Sequence, residues 1–205
     1  MGPEGFARLC PVSRETLAQL AAYAELLYRW SGHINLVGRG TLDDPWRRHF
    51  LDSAQLYPLV PAGTRALLDL GSGAGFPGLV LAILGVESVT LADSDSRKCA
   101  FLREAARVTG TKVAIHAGRI ETLPPHPFEV VTARALAPLD RLLALAEPFL
   151  GPDTSCLFLK GERAAEELTR ARKGWKMEAA VHPSRSDPRG VILELQQVVR
   201  EPRDF

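Results

Sequence analysis

The residues with the clearest chemical potential are an acid and a group of glycines that follow a short apolar run. The run 66–70 contains Asp69, and four glycines follow within the eight residues 71–78. Glycine tolerates positive φ and lets the backbone approach a bound molecule closely. The apolar segment 79–84 comes next, and a helix that begins there presents free N–H groups to a ligand. The stretch therefore predicts a strand, a glycine loop and a helix that together form a nucleotide-type cofactor site.

The glycine spacing alone leaves the class of cofactor open. Residues 73–78 satisfy G-x-G-x-x-G, a pattern that nicotinamide and flavin enzymes share. Two details favour a cofactor without phosphate. Asp69 stands directly before the loop, while Phe76 and Pro77 put a bulky ring and a residue without N–H where a pyrophosphate needs amide donors. S-adenosylmethionine has no phosphate, and an acid near the loop can meet its ammonium group.

A second acid, Asp93, closes the next predicted strand, about twenty residues beyond the loop. An acid at this position accepts hydrogen bonds from ribose hydroxyls in dinucleotide-binding folds. Asp95 offers similar chemistry two residues later, but an acid there is explained more simply as the N-cap of the following helix. We therefore predict that Asp93 binds the ribose.

Predicted strands and helices alternate beyond the loop. Such alternation with short linkers indicates an α/β fold, in which a largely parallel sheet is covered by helices and binds its ligands at the carboxyl ends of the strands. Arg119 and Arg134 follow the third and fourth strands and are expected to face the same crevice. The predicted strands are 66–70, 88–92, 112–116, 128–132, 156–159, 178–181 and 191–196, and the helices after the loop include 95–108, 138–149 and 163–172.

The chain before the loop is expected to form a helical extension. Ser13 is a helix-capping residue, and the amphipathic pattern after it ends near Gly32. Residues 1–12 are expected to be a loosely ordered lead. We accordingly predict two parts, an N-terminal helical extension over 1–62 packed on a core domain over 63–205.

A second helix in this extension begins at Asp44 and Pro45, with proline at its first position. Its polar side carries Arg48, His49 and Asp52. Arg48 and Asp52 stand four residues apart, which on charge alone indicates a solvent-exposed ion pair on a helix surface. A functional face is the other interpretation.

Composition excludes several classes of protein. A chain of 205 residues that is 46% hydrophobic and 24% charged is long enough for one globular domain and is neither disordered nor fibrous in composition. The apolar runs are too short to cross a bilayer and no secretory signal is recognisable, so we expect a cytoplasmic protein without a membrane partner. The three cysteines are widely spaced, which favours neither disulfides nor a metal site. A net charge of +1 requires that any RNA partner be bound by a local basic face.

The loop also resembles a known family. Residues 69–75 look like motif I of class I methyltransferases. The longer string through Gly78 resembles the bacterial small-subunit ribosomal RNA guanine-N7 methyltransferases, the glucose-inhibited division protein B family. The resemblance covers roughly residues 14–197 in the family's order, and Arg-His-x-Leu-Asp-Ser is more specific than the glycines. Its other elements are residues 35–36, 48–53, 93–94, 97–98, 101–102, 119–121, 132–135 and 159–161.

This resemblance implies a Rossmann-like class I methyltransferase with a mainly parallel seven-stranded sheet and helices on both faces. It implies transfer of a methyl group from S-adenosylmethionine to N7 of a guanine in 16S ribosomal RNA. The expected partner is small-subunit RNA, a 30S subunit or an assembly intermediate, with no DNA, and the protein is expected to act as a monomer. It also favours a functional role for the polar side of the second helix.

The resemblance further implies two sets of site residues, and no metal ligands. The cofactor set is Gly71, Gly73, Phe76, Asp93, Ile120, Glu121 and Arg134. The RNA set is Arg48, His49, Arg97, Lys98 and Lys160. Arg97 and Lys98 begin a helix, where cations oppose the macrodipole, and this placement suggests an anionic partner. The predicted contact of Phe76 is adenine, the target base or simple packing beneath the loop.

The chemistry expected here needs no general base. Guanine N7 carries an in-plane lone pair, is unprotonated at neutral pH and can attack a sulfonium methyl group directly. Catalysis is then alignment, an effect that reaches about 7 to 11 kcal/mol. Two other functions remain open at this point: an NAD(P)-dependent Rossmann oxidoreductase, and a non-catalytic ribosome-assembly or RNA-binding module with the same fold.

Overall fold

The computed structural model describes residues 1–201, which form a seven-stranded sheet with helices on both faces. The strands are β1 (Leu67–Leu70), β2 (Val89–Asp93), β3 (Val113–Ala117), β4 (Val130–Arg134), β5 (Ser155–Lys160), β6 (Trp175–Pro183) and β7 (Val191–Arg200). The α-helices are α1 (Pro3–Leu9), α2 (Arg14–Ser31), α3 (Asp52–Ala54), α4 (Gly78–Ile83), α5 (Ser96–Thr109), α6 (Leu139–Ala146) and α7 (Ala164–Ala171). Short 3-10 turns lie at Arg39–Thr41, Tyr57–Leu59, Ile120–Thr122 and Glu147–Phe149, and a π-helical turn at Trp46–Leu51 leads directly into α3.

The strand order in the sheet is β3-β2-β1-β4-β5-β7-β6. Strands β1 to β5 pair in parallel, whereas β7 pairs antiparallel with both β5 and β6. The predicted α/β fold with a mainly parallel sheet is confirmed. The chain runs outward from β1 to β3 and then returns to β4 on the other side of β1. The carboxyl ends of β1 and β4 thus form the switch point at which such sheets bind their ligands.

Side chains alternate between the two faces of the sheet because successive strand residues point in opposite directions. In β1, Leu67 packs into the core that contains α2, α4 and α5, and Leu68 packs into the core that contains α6 and α7. Asp69 follows the same alternation and points toward α4, where Gly78 begins the helix. The face on which Asp69 lies thus follows from the alternation of β1.

The N-terminal segment is more ordered than its sequence indicated. Residues 1–12 were expected to be a loose lead, but residues Pro3–Leu9 form α1, with proline in its first turn. Phe6 is fully buried, and its ring lies 5.5 Å from that of Trp46. The N-terminal ammonium also lies 2.9 Å from Asp44 Oδ1. The expectation was wrong because the buried ring of Phe6 and the N-terminal ion pair together dock this short helix on the core.

The helix α2 is capped as its sequence predicts, since the Ser13 hydroxyl accepts a hydrogen bond from the Thr16 amide. Its buried face includes Tyr23, which packs against the rings of Phe50 and Phe76. The core on this side of the sheet therefore continues from the N-terminal helices to the glycine loop. Within residues 1–201, no helix is both long and apolar enough to cross a bilayer.

Candidate active site

A cavity of about 730 Å³ opens at the carboxyl ends of β1, β4 and β5. This volume is within the range of small-molecule sites. Six segments of the described chain line it, together with Lys98 of α5 and Glu167 of α7: the glycine loop 71–76, the segment 134–138 after β4, the end of β5 at 159–161, the N-terminal segments 36–41 and 48–52, and the connector 184–191 between β6 and β7. The cavity lies at the switch point of the sheet, where the fold predicts a ligand.

The glycine loop is anchored from below by Asp69, which is fully buried. Its carboxylate accepts hydrogen bonds from the Thr132 hydroxyl at 2.8 Å and from the Gly78 amide at 3.2 Å. Burial raises the pKa of Asp69 to about 6, and these hydrogen bonds oppose the shift. Asp69 is fully buried and does not line the cavity, so the geometry favours a structural role for it over the predicted contact with the cofactor's ammonium group. It holds α4 under the loop instead.

The acid at the end of β2 contacts the same loop. Asp93 accepts a hydrogen bond from the Gly73 amide at 2.8 Å through one oxygen and from the Asp95 amide at 2.9 Å through the other. Asp95 caps α5, with its carboxylate accepting from the Arg97 amide at 2.9 Å. The two acids therefore have different local partners. Asp93 borders the loop beside the cavity, although it is not among the residues that line it.

Phe76 lies beneath the loop in an aromatic stack. Its ring centroid is 5.2 Å from that of Tyr23 and 4.9 Å from that of His49, and both neighbouring rings lie nearly parallel to it. Arg134 also places its guanidinium 5.0 Å from the Phe76 centroid. Only 2% of Phe76 is exposed. Of the three contacts considered for this ring, the arrangement favours packing, since two flat neighbours already cover it.

His49 is buried between Arg134 and Thr41. Its Nδ1 lies 3.0 Å from the Arg134 guanidinium, and its Nε2 lies 2.8 Å from the Thr41 hydroxyl. Because a guanidinium has no acceptor, Nδ1 must accept and the ring proton must be on Nε2. Burial, followed by Arg134 and Arg48, lowers the pKa of His49 to about 3. His49 is therefore a neutral link between the end of β4 and the loop at Gly38, to whose carbonyl Thr41 donates at 2.6 Å.

The predicted ion pair between Arg48 and Asp52 does not form. Arg48 instead pairs with Asp187 in the connector at 2.7 Å, and Asp52 pairs with Arg134 at 3.3 Å. The reason is local geometry, because the segment before Asp52 is π-helical and the Asp52 amide donates to the Arg47 carbonyl, five residues back. Residues four apart no longer share a face as they do in an α-helix. Nothing in the sequence marked this turn as π-helical.

The two cations at the start of α5 have different positions. Lys98 lines the cavity, and within residues 1–201 no carboxylate lies within ion-pair distance of its ammonium group. Arg97 is not among the lining residues, and its largely exposed guanidinium lies 3.4 Å from Asp95. Both residues were predicted from the sequence to contact RNA, but only Lys98 lies at the cavity.

Lys160 also lines the cavity, but its ammonium group is occupied. It donates to the Ala137 carbonyl at 2.7 Å and to Glu167 at 2.9 Å, with 9% of its side chain exposed. A phosphate contact would require Lys160 to leave these partners. The geometry therefore disfavours the RNA contact that was predicted for Lys160.

The structure brings together most of the predicted site residues and leaves a few aside. Gly71, Gly73, Phe76, Arg134, Arg48, His49, Lys98 and Lys160 line the same cavity. Ile120 and Glu121, predicted beside the adenine, begin the turn after β3 and are not among the lining residues. Ile120 is 9% exposed and packs in the core on the α6 side, whereas Glu121 is exposed.

Several residues that build the site had no functional signal in the sequence. Nothing in the sequence marked Tyr23 of α2, yet its hydroxyl donates to the Ala74 carbonyl in the glycine loop. Asp187 looked like part of a compact connector, yet it pairs with Arg48. Glu167 looked like a surface residue of a polar helix, yet it binds Lys160. The partners of Tyr23 and Asp187 lie far away along the chain, and Glu167 is seven residues from Lys160, beyond the reach of a helix or strand repeat, so no regular spacing indicated these pairs.

Comparisons with known proteins identify the family of this chain. The family model GidB, described as rRNA small subunit methyltransferase G, matches residues 16–187. A protein of Rhodospirillum rubrum named ribosomal RNA small subunit methyltransferase G is 58% identical over 200 residues, which cover 98% of this chain and 100% of that protein. A protein of Rhodospirillum centenum with the same name is 60% identical over 187 residues, which cover 91% of this chain and 87% of that protein.

Solved structures similar to this one share its fold at low sequence identity. A TehB-like SAM-dependent methyltransferase from Corynebacterium glutamicum has a TM-score of 0.58 at 16% identity and covers 87% of this chain and 99% of its own. The glycopeptide N-methyltransferase MtfA, solved with S-adenosylmethionine, has a TM-score of 0.60 at 14% identity, with 72% and 93% covered. These neighbours confirm the class I methyltransferase fold. With a family model that spans most of its length and relatives identical at more than half of the aligned positions, the chain belongs to the GidB family of small-subunit ribosomal RNA methyltransferases.

Proposed function

We propose that this protein transfers the methyl group of S-adenosylmethionine to N7 of a guanine in small-subunit (16S) ribosomal RNA. The observation that carries the proposal is that one cavity at the switch point combines a glycine loop with basic residues from other segments, in a chain of the GidB family. Family membership favours this function over a nicotinamide-dependent oxidoreductase. A loop followed by Phe76 and Pro77 also suits a cofactor without phosphate.

The residues present fit S-adenosylmethionine. Gly73 has a φ of +58°, and a Cβ there would meet no atom closer than 3.9 Å, so the loop backbone is open to a ligand. Asp93 fixes the Gly73 amide and keeps carboxylate lone pairs that can accept ribose hydroxyls. Gly71 and Gly73 would contact the methionine part, and Ile120 and Glu121 the adenine part. When bound, the cofactor supplies a sulfonium-activated methyl group.

The residues of this chain then need only to align the two reactants. Guanine N7 attacks with its own lone pair, so no side chain has to remove a proton. His49 is unsuited to that task in any case, since both of its nitrogens are engaged within the protein. Arg134 and Asp52 hold the floor of the cavity in place, which preserves the entropic advantage of a fixed geometry.

The RNA contacts are proposed for the cations at the rim. Lys98 lines the cavity without a carboxylate partner in the described residues and is the strongest candidate for a phosphate contact. Arg48 reaches the same rim, but phosphate must compete there with Asp187. Arg97 is the weaker candidate because it lies outside the cavity lining. We further propose that the substrate is small-subunit RNA or a 30S particle, and that the protein acts as a monomer.

The decisive experiment incubates the protein with labelled S-adenosylmethionine and either small-subunit RNA or 30S particles, then maps N7-methylguanine in the RNA. Transfer to a guanine N7 is the expected result. Cofactor binding without transfer to either substrate would favour a non-catalytic assembly module. Calorimetric binding of NADH, with none of S-adenosylmethionine, would favour an oxidoreductase.

A matched pair of variants tests the division of roles. Lys98→Met is expected to raise the KM for RNA and to weaken its salt dependence, because one phosphate contact is lost. Arg97→Met, at the adjacent position, is expected to have a smaller effect. Asp93→Ala is expected to weaken cofactor binding, and Arg48→Ala to lower methyl transfer with cofactor binding intact. A loss of cofactor binding in Lys98→Met or Arg48→Ala would contradict the separation of RNA and cofactor contacts.

A further inference from the structure

One wall of the cavity, next to the glycine loop, is the segment 135–138, which follows β4 directly. Leu136 lies over the loop with 36% of its surface exposed. A Cβ on Gly71 would come within 2.6 Å of Leu136 Cδ1, which shows how closely wall and loop approach each other. A molecule held above the loop therefore meets this wall, and an apolar side chain there suits the flat face of a base.

The wall has a backbone conformation that needs support. Ala135 has a φ of +51°, in the left-handed region that residues with a Cβ rarely adopt. Such a conformation persists only where the surrounding structure holds it in place. On one side the support is Arg134, whose guanidinium is bound to Asp52 and His49. The support on the other side has to come from residues that contact 137–139.

Lys160 and Glu167 provide that support. The Lys160 ammonium donates to the Ala137 carbonyl at 2.7 Å, and the Glu167 carboxylate accepts from the Leu139 amide at 2.9 Å. The two side chains also pair with each other at 2.9 Å. They thus fix the backbone on both sides of Pro138, which has no N–H of its own. The end of β5 and the helix α7 are in this way tied to the start of α6.

We propose, on the basis of the function proposed above, that Lys160 and Glu167 are positioning residues that fix the wall 135–138 against which the target guanine lies. They act through Ala137 and Leu139 and do not touch the RNA. A small displacement of such a wall would disturb the alignment of N7 with the methyl group, on which the reaction depends. This role replaces the phosphate contact that the sequence suggested for Lys160.

The two roles of Lys160 make opposite predictions for Glu167→Gln. If Lys160 positions the wall, loss of the Glu167 charge weakens the support and lowers kcat. If Lys160 binds phosphate, the same change releases its ammonium group and tightens RNA binding. Glu166→Gln is the matched control, because Glu166 is the adjacent acid on α7 but is largely exposed and pairs only with the exposed Arg163 in the described part of the chain.

The experiment measures methyl transfer to 30S particles and small-subunit RNA by the full-length protein and its Lys160→Met, Glu167→Gln and Glu166→Gln variants. The first two are expected to lower kcat by about tenfold or more, as a small misplacement does. S-adenosylmethionine affinity and the salt dependence of the KM for RNA should stay at wild-type values. Hydrogen exchange of the Leu139 amide should accelerate in both variants and stay unchanged in Glu166→Gln.

A double variant, Lys160→Met with Glu167→Met, removes both charges and so avoids an unpaired charge if Lys160→Met alone fails to fold. It is expected to show the same loss of kcat. Any one of three results would overturn the proposal. The first is a raised KM for RNA with a weaker salt dependence in Lys160→Met, and the second is tighter RNA binding in Glu167→Gln. The third is an unchanged kcat in both variants. Absence of methyl transfer by the wild-type protein would instead refute the proposed function. In that case, hydrogen exchange of the Leu139 amide would still show whether Lys160 and Glu167 hold the wall 135–138 in place.

Discussion

The buried carboxyl of Asp69 makes the stability of this protein depend on pH in a direction opposite to that of an ordinary ion-paired acid. Its pKa is about 6 in the folded protein, against about 3.9 in an unfolded chain. The folded state therefore holds the proton more tightly. The contribution of Asp69 to stability is greatest where it is protonated in both states, and this contribution falls as pH rises from about 4 to about 6. A shift of about 2 pKa units corresponds to a loss of about 3 kcal/mol in the free energy of unfolding.

The perturbation that isolates this contribution is Asp69→Asn, which cannot titrate. Its amide still accepts one hydrogen bond from Thr132 or Gly78 but presents N–H groups to the other donor, so a constant, pH-independent loss of stability is expected. Other acids have lowered pKa values, and their contributions to stability change with pH in the opposite direction. Because both proteins contain these acids, their contributions cancel in the difference between the two free energies of unfolding. Those with lowered pKa values are Asp44, Asp95, Glu104, Glu147 and Asp187.

Urea unfolding of both proteins between about pH 4 and pH 7 gives the free energies needed. The stability advantage of the wild-type protein over Asp69→Asn should shrink by about 3 kcal/mol across this range. A difference that stays constant would refute the raised pKa. A stability advantage that grows with pH would show that the hydrogen bonds to Asp69 lower its pKa by more than burial raises it. The predicted direction of the pKa shift would then be wrong.

Three further predictions concern the elements around the site. Gly78→Ala should cost about 1 to 3 kcal/mol in urea unfolding, because its Cβ would lie 2.5 to 2.8 Å from side-chain atoms of β1 and β2. Gly161→Ala, whose Cβ would meet nothing within 4 Å, is the matched control. Phe6→Ala should cost about 3 to 5 kcal/mol, and a change below 1 kcal/mol would contradict the docking of α1. His49 should show no NMR titration between pH 5 and pH 8, since burial lowers its pKa to about 3, and a transition in that range would contradict its neutral hydrogen-bonded state.

The elements that could be predicted from sequence are those determined by the types and spacing of residues close together in the chain. The strand β1, the glycine loop and the helix after it follow from apolar runs and glycine spacing, and the caps Ser13 and Asp95 follow from residue type. The seven strands lie close to their predicted positions because each is a short apolar run between turn signals. The methyltransferase family followed from motifs that a single sequence displays.

The partners of the charged residues were not predictable in this way. Arg48 was paired with Asp52 on the assumption of an α-helix, but a π-helical turn separates them and gives Arg48 a partner more than a hundred residues away. The burial of His49 depends equally on Arg134 and on the rings that pack around it. Lys160 is a cation near an RNA-binding site by sequence, and only its contacts with Ala137 and Glu167 distinguish a support from a ligand.

The pairing of these cations has a consequence for the cofactor. Among the side chains that the structure describes, four cations line the cavity, namely Arg48, Lys98, Arg134 and Lys160, and the sulfonium of S-adenosylmethionine is itself positive. Two unit charges 4 Å apart interact by about 4 kcal/mol near a protein surface, so four free cations would oppose binding of the methyl donor. Asp187, Asp52 and Glu167 neutralise three of them. Lys98 remains available for phosphate, and the same cavity can thus accept a cationic cofactor and an anionic RNA.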